Sequence, residues 1–191
     1  SMDYVAKTDQ ATVLNICNHS YFNLSGNVKR DVLDHKIQLN APFFIPIDKV
    51  LIPTGEIKSV KGGPFDFTSA KKIGLDINAA DEQITFGGGY DHCYAFDKAP
   101  GAFGKIARVE DPSSGRVMEV FTTEPGVQFY TGNNLDGHLI GKYGAVYNKR
   151  TGFCLETQHY PDSPNKPNFP STVLRPGETY TSKTVYQFSV Q

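Results

Sequence analysis

The sequence predicts an all-β fold, a large antiparallel sandwich, on three observations. Its last segment alternates without interruption: Tyr180, Ser182, Thr184, Tyr186, Phe188 and Val190 fall on one face, and Thr181, Lys183, Val185, Gln187 and Ser189 on the other. That period of two is the mark of a half-buried strand. The 191 residues include 18 glycines and 12 prolines, which cut the chain into short apolar runs. Gly104–Glu110 and Arg116–Thr122 read as a hairpin closed by Asp111-Pro112-Ser113-Ser114-Gly115, residue types that favour turns.

The other elements follow in chain order. Ala11–Ile16 is a short strand leading into Asn18–Leu24, and Lys36–Asn40 and Phe43–Ile47 are two more, split by Ala41-Pro42. Pro46 and Pro53 push their surroundings toward edge or loop, and Lys61–Pro64 is a turn. Ser69–Asn78 is the best helix candidate, although it carries Gly74 and few apolar positions. Gly87-Gly88-Gly89 opens a strand over Asp91–Phe96, and Val127–Thr131 and Gly152–Gln158 are strands. Asp162–Pro170 is polar, and Pro161, Pro164, Pro167 and Pro170 recur every third residue, as in a polyproline loop. A total of roughly ten short strands between turns fits a sandwich.

Composition narrows the function. With 19 Lys and Arg against 20 Asp and Glu, the formal charge is −1, which argues against nucleic acid as a partner. No apolar run is long enough to span a bilayer. Cys17, Cys93 and Cys154 are widely spaced without a C-x-x-C pair, so reduced thiols are expected. None of His19, His35, His92, His138 and His159 stands at a metal-ligand spacing from another, so no metal centre is expected. The sequons at Asn18 and Asn23 lie in a candidate site where a glycan would block access, which points to a compartment without N-glycosylation, the cytoplasm. Ser1-Met2 reads as a cloning remnant.

Four constellations carry chemistry. Asn18-His19-Ser20-Tyr21-Phe22-Asn23-Leu24 packs an imidazole, amides, a hydroxyl and two aromatics into seven residues, the mixture a sugar requires. Trp is absent, so a stacking platform must be Tyr or Phe. Glu156 follows the apolar Phe153-Cys154-Leu155 at a strand end, a candidate for a raised pKa and a general-base role; the alternative is an ordinary surface glutamate. Glycines before Asp91 let the backbone approach a ligand and aim the carboxylate, or Asp91 caps its own turn. Gln128 alternates with Phe129, so one faces a pocket and the other the core.

Taken together, Asn18–Leu24, Leu51-Ile52-Pro53-Thr54-Gly55-Glu56, Tyr90-Asp91-His92, Pro125–Asn133, Leu155–Gln158 and Leu174-Arg175-Pro176-Gly177-Glu178 resemble the aldose 1-epimerase (galactose mutarotase) family, in the same order. The resemblance runs from about Tyr4 to Val190. It implies the large antiparallel sandwich of that family and interconversion of the α- and β-anomers of free aldoses such as galactose and glucose, with no metal or cofactor. It implies that His19 is the general acid on the ring oxygen, that Glu156 is the general base on the anomeric hydroxyl, and that Asp91 and Gln128 hold sugar hydroxyls. One acid and one base on opposite sides of the sugar suffice, with His19 protonated and Glu156 ionised, so a bell-shaped pH profile is expected. The family also carries a sugar-binding arginine and a further histidine well before this motif. Residues 3–191 therefore read as the C-terminal portion of one mutarotase-like domain, incomplete at its N-terminus. The expected partner is a small aldose, with no nucleic acid and no membrane. A missing N-terminal portion, or self-association through exposed strands, is the further expectation. The competing reading is a non-catalytic sugar-binding or truncated structural sandwich.

Overall fold

A computed structural model describes residues 1–26 and 30–191. Among them run thirteen strands and one short α-helix. In chain order these are β1 (Met2–Ala6), β2 (Thr12–Val13), β3 (Lys36–Leu39), β4 (Phe43–Ile45), β5 (Lys58–Ser59), β6 (Lys71–Lys72), α1 (Glu82–Gly87), β7 (Asp91–Ala95), β8 (Gly104–Glu110), β9 (Arg116–Thr122), β10 (Gly126–Tyr130), β11 (Cys154–Gln158), β12 (Val173–Leu174) and β13 (Tyr180–Val190). The fold is all-β, as the alternation and turn chemistry predict.

Three antiparallel sheets form. One has six strands in the order β1-β13-β9-β8-β3-β6, the second five in the order β11-β10-β7-β4-β5, and β12 pairs with β2. The β8–β9 hairpin has the predicted bounds. Its turn is held by Asp111, whose carboxylate accepts from the backbone N–H groups of Ser113 and Ser114 and from Arg30. Gly115 takes a positive φ of 71° to close it.

The two large sheets bury alternate residues against each other. Tyr94, Phe129 and Leu155 come from the five-stranded sheet, and Val109, Met118 and Val120 from the six-stranded one, all within one apolar cluster. Phe67 and Tyr90 fill its centre: Tyr90 stacks on Phe129 with centroids 5.4 Å apart, and Phe67 meets Phe129 edge-on at 5.6 Å. Each such fully buried side chain contributes about 1.5–3 kcal/mol.

Several elements depart from expectation: β1, β5 and β12 form where no strand is expected, and Ala11–Ile16 is strand only over Thr12–Val13. Ser69–Asn78 is not a helix: Lys71 and Lys72 pair with β3, and turns follow. Gly74 there lies so close to the Leu33 backbone that a Cβ would come within 3.1 Å of its carbonyl oxygen. Gly74 weakens a helix there, and Ile73 and Ile77 reach the core from the paired strand end and the turns instead, so sheet pairing wins. The helix is instead α1, capped by Asp81, whose side chain accepts from the N–H groups of Gln83 and Ile84, and ended by Gly88 in the left-handed conformation. At six residues it is too short to leave a periodic signal. The glycines before Asp91 thus end a helix as well as open a strand. In β13, Ser182 and Thr184 are buried as the pattern requires, but Phe188 and Val190 are 58% and 75% exposed. The opposing sheet reaches only as far as Tyr186, whose hydroxyl donates to the Leu155 carbonyl.

Candidate active site

The site lies on the face of the five-stranded sheet that points away from the core, and strand parity selects its residues. On β10, Val127 and Phe129 are fully buried, so Gln128 and Tyr130 face outward. Registration places Gln128 beside Glu156 of β11 and Cys93 of β7, and Tyr130 beside Cys154 and Asp91. Asp91, Gln128 and Glu156 therefore come from three adjacent strands.

His19 arrives from a different part of the chain. β11 is the edge strand of its sheet, and residues 15–22 run antiparallel along that edge, tied at both ends. The Asn15 amide donates to the His159 carbonyl at 3.0 Å and accepts from the His159 N–H at 3.0 Å. Phe22 and Phe153 exchange backbone hydrogen bonds of 2.8 and 3.0 Å. Between these clamps, Cys17 and His19 come to lie opposite Glu156. His19 Nε2 is 3.4 Å from Glu156 Oε1, and Cys17 Sγ is 3.7 Å from Glu156 Oε2.

His19, Asp91, Gln128 and Glu156 all line one cleft of about 460 Å³. Tyr21 and Tyr130 form its aromatic wall: His19 stacks on Tyr21 at 5.1 Å and meets Tyr130 edge-on at 6.4 Å. Leu51 and Pro53 form part of the facing rim. That rim is shaped by Asp48, whose carboxylate accepts from the N–H groups of Val50 and Ile52, while Leu51 is held at a φ of 68°, an uncommon conformation for leucine.

Burial shifts both carboxylates of the cleft the same way. Burial pushes the Glu156 carboxyl above its usual range, the facing His19 pulls it back, and Asp91 adds a further upward push. Burial also raises Asp91, against the hydrogen bond that Gln128 Nε2 donates to its Oδ1 at 2.8 Å. This amide fixes the direction of the Asp91 carboxylate. It also leaves Gln128 Oε1 buried without a hydrogen-bond partner among the described residues, an acceptor that a hydroxyl can fill. Asp91 does not cap its own turn. The tight approach at Gly89, φ 137°, is to Asn133, whose side-chain oxygen would lie 2.5 Å from a Cβ there. Asn133 Nδ2 donates to the carbonyls of Gly87 and Tyr90, so this wiring holds the loop ahead of Asp91.

The remaining histidines lie outside the cleft lining. His92 is fully buried on the core side of β7, where burial lowers its pKa to about 4. His35 is buried and accepts from the Leu24 N–H at 2.9 Å. His159 binds Glu124 at 2.6 Å beside the Tyr180 hydroxyl. The residues that sequence reasoning passes over are Cys17 and Cys154. Their signal is parity: Cys154 stands two positions before Glu156 on one strand face, and Cys17 two before His19. Ligand atoms of His19, Cys154 and Glu156 all lie within 4.8 Å of one another.

His19 beside Glu156, the wired Asp91–Gln128 pair and the tyrosine wall bring an imidazole, carboxylates, an amide and aromatic faces into one cleft. Comparison with known proteins gives the family. A family model described as Aldose 1-epimerase matches residues 1–187. Human galactose mutarotase is 47% identical over 189 residues, covering 99% of this chain and 54% of the relative. Aldose 1-epimerase of Escherichia coli K12 is 41% identical, covering 98% and 54%. Among solved structures, an aldose epimerase homologue from C. elegans superposes with a TM-score of 0.87 at 30% identity, over 98% of this chain and 55% of that one. Galactose 1-epimerase from Lactobacillus acidophilus gives 0.82 at 26%, over 98% and 52%. The chain spans about half the length of the curated relatives it matches. On this evidence the chain belongs to the aldose 1-epimerase family.

Proposed function

We propose that this chain carries the proton-transfer site of an aldose 1-epimerase, which interconverts the α- and β-anomers of free aldohexoses such as galactose and glucose. Glu156 takes the proton of the anomeric hydroxyl while His19 protonates the ring oxygen. The bond from the anomeric carbon to the ring oxygen breaks, leaving an open-chain aldehyde. Rotation of the carbonyl and attack by the same hydroxyl from the other face recloses the ring, with the two proton transfers reversed. Each positioned acid or base contributes about 10²–10⁴-fold.

The observation that carries this reading is the 3.4 Å separation of His19 Nε2 and Glu156 Oε1 at the cleft. Sequence reasoning places acid and base on opposite sides of the sugar, but here they are neighbours. Neighbours suit the chemistry, because the two oxygens they serve are bonded to one carbon. Asp91 and Gln128 Oε1, on adjacent strands, are placed to receive the ring hydroxyls, and Tyr21 and Tyr130 offer flat faces for the apolar side of the sugar. The raised Glu156 pKa brings the base closer to neutrality, where proton transfer is most effective.

A cytoplasmic setting fits this reading. Asn23 Nδ2 donates to the carbonyls of Arg30 and Thr151, bonds that a glycan on that nitrogen would disturb. No helix among the described residues is long and apolar enough to cross a membrane.

Polarimetry on freshly dissolved α-galactose tests the proposal. The expected result is equilibration faster than in buffer. A chain that binds galactose yet gives no rate above buffer is instead a sugar-binding sandwich, and the enzymatic reading fails for it.

A further inference from the structure

The pairing of two proton-transfer groups with a buried cysteine has a consequence that epimerisation does not use. A ring nitrogen of His19, from the segment along the sheet edge, and Cys154 Sγ and a Glu156 carboxylate oxygen, both from β11, all lie within 4.8 Å of one another. A tetrahedral zinc ion with nitrogen and oxygen at about 2.0 Å and sulfur at about 2.3 Å has edges of roughly 3.3 Å between nitrogen and oxygen, and roughly 3.5 Å to sulfur. The His19–Glu156 edge, at 3.4 Å, already has that length. Of the three, the His19 side chain, 51% exposed, has the most room to adjust, since Glu156 is only 10% exposed and Cys154 is fully buried.

We propose that His19, Cys154 and Glu156 form a capture site for a thiophilic divalent cation, zinc being the best fit, with a fourth position open to water from the cleft. The donor set selects the ion: one imidazole, one thiolate and one carboxylate favour zinc over magnesium or calcium. Charge balance also favours it, because the thiolate and carboxylate together neutralise a divalent cation in a largely buried place. Binding is a ligand exchange without redox change. The Cys154 S–H loses its proton to solvent, bonds form from Cys154 sulfur, a His19 nitrogen and a Glu156 oxygen to zinc, and the waters they displace leave the ion, one remaining at the open position. Cys17 is not a ligand in this scheme. Its Sγ sits by the other carboxylate oxygen, 3.7 Å from Oε2, and holds the carboxylate so that Oε1 faces His19. Because the ion would occupy both proton-transfer groups, bound zinc is inhibitory, a consequence that rests on the function proposed above.

Cobalt serves as the spectroscopic probe. Titration of the chain with Co²⁺ is expected to give a thiolate-to-cobalt charge-transfer band that saturates at one ion per chain and is bleached by Zn²⁺. Cys154→Ser, a near-isosteric change, should abolish the band, while Cys17→Ser should retain it. His19→Gln, at a half-exposed position, should weaken zinc binding by about 10–100-fold. A band that persists in Cys154→Ser, the lack of any thiolate band in the parent chain, or zinc affinity unchanged in His19→Gln would each overturn the site. In polarimetry, zinc should suppress the rate, and chelation should restore it. A cobalt band without zinc inhibition of an active chain would overturn the inhibitory role. A chain with no basal rate would count against the epimerase reading alone, because the cobalt band reports the site independently.

Discussion

Replacing Glu156 with Gln should make the protein less active and more stable at once. The amide keeps the shape of the carboxylate but accepts no proton from an anomeric hydroxyl, so kcat should fall about 10²–10⁴-fold, or ~2.7–5.4 kcal/mol of barrier. Stability moves the other way. The Glu156 carboxyl is raised chiefly by burial, so its charged form is disfavoured in the fold at neutral pH. Removing the charge relieves that penalty, a gain of about 0.5–2 kcal/mol for a site whose function conflicts with stability. The loss is the attraction to His19, which is 51% exposed and so counts as a surface pair worth about 0–1 kcal/mol. The balance is a stabilisation of about 1 kcal/mol, a rise of about 2–4 °C in Tm for a chain of this size. Because the folded pKa lies above the unfolded one, the parent's penalty is present above the folded pKa and shrinks as pH falls through it. The two melting curves should therefore converge in acid. Polarimetry gives the rate, and circular dichroism melts between pH 4 and 8, a range of roughly the carboxylate-to-neutral span, give the stability. An unchanged rate would refute the base assignment. A lower Tm at neutral pH would refute the argument that burial dominates at Glu156.

Four further outcomes can be checked. Gln128→Ala frees the Asp91 carboxylate and removes a buried acceptor, so KM for galactose should rise more than kcat falls in steady-state polarimetry. Gly89→Ala puts a Cβ 2.5 Å from Asn133 Oδ1 at a φ of 137°, and should cost about 1–3 kcal/mol in urea denaturation and weaken sugar binding through Asp91. At Glu124, burial pushes the pKa up, but hydrogen bonds from His159, Ser182 and Tyr180 outweigh it and hold the carboxyl below the usual glutamate range. Its stabilisation should be present above the unfolded pKa and lost as pH falls through the depressed folded one, so Glu124→Gln and the parent should differ in urea midpoint near neutrality and converge in acid. Tyr94 buries its hydroxyl without a hydrogen-bond partner among the described residues, so Tyr94→Phe should raise stability by about 1–3 kcal/mol in the same assay.

The sequence by itself determined the fold class, most of the strands, and the residue types of the site. Period-two alternation is a local property of the chain, and so is turn chemistry at Asp111–Gly115, which is why the bounds of β8, β9 and β13 match expectation. Where local signals are weak, tertiary pairing decided. Lys71 and Lys72 joined a sheet rather than a helix because β3 offered hydrogen bonds and Gly74 weakens a helix there, while Ile73 and Ile77 reach the core without one. The alternation at Gln128 and Phe129 left two orientations open, and only the core, by taking Phe129, turned Gln128 outward. The neighbourhood of His19 and Glu156 was also not legible, because the two stand 137 positions apart in the sequence. It arises from two clamps at the ends of β11, Asn15 to His159 and Phe22 to Phe153. The same clamps bring Cys17 and Cys154 to the carboxylate. Spacing rules for metal ligands read one segment at a time, whereas a sheet edge gathers donors from segments far apart in the chain.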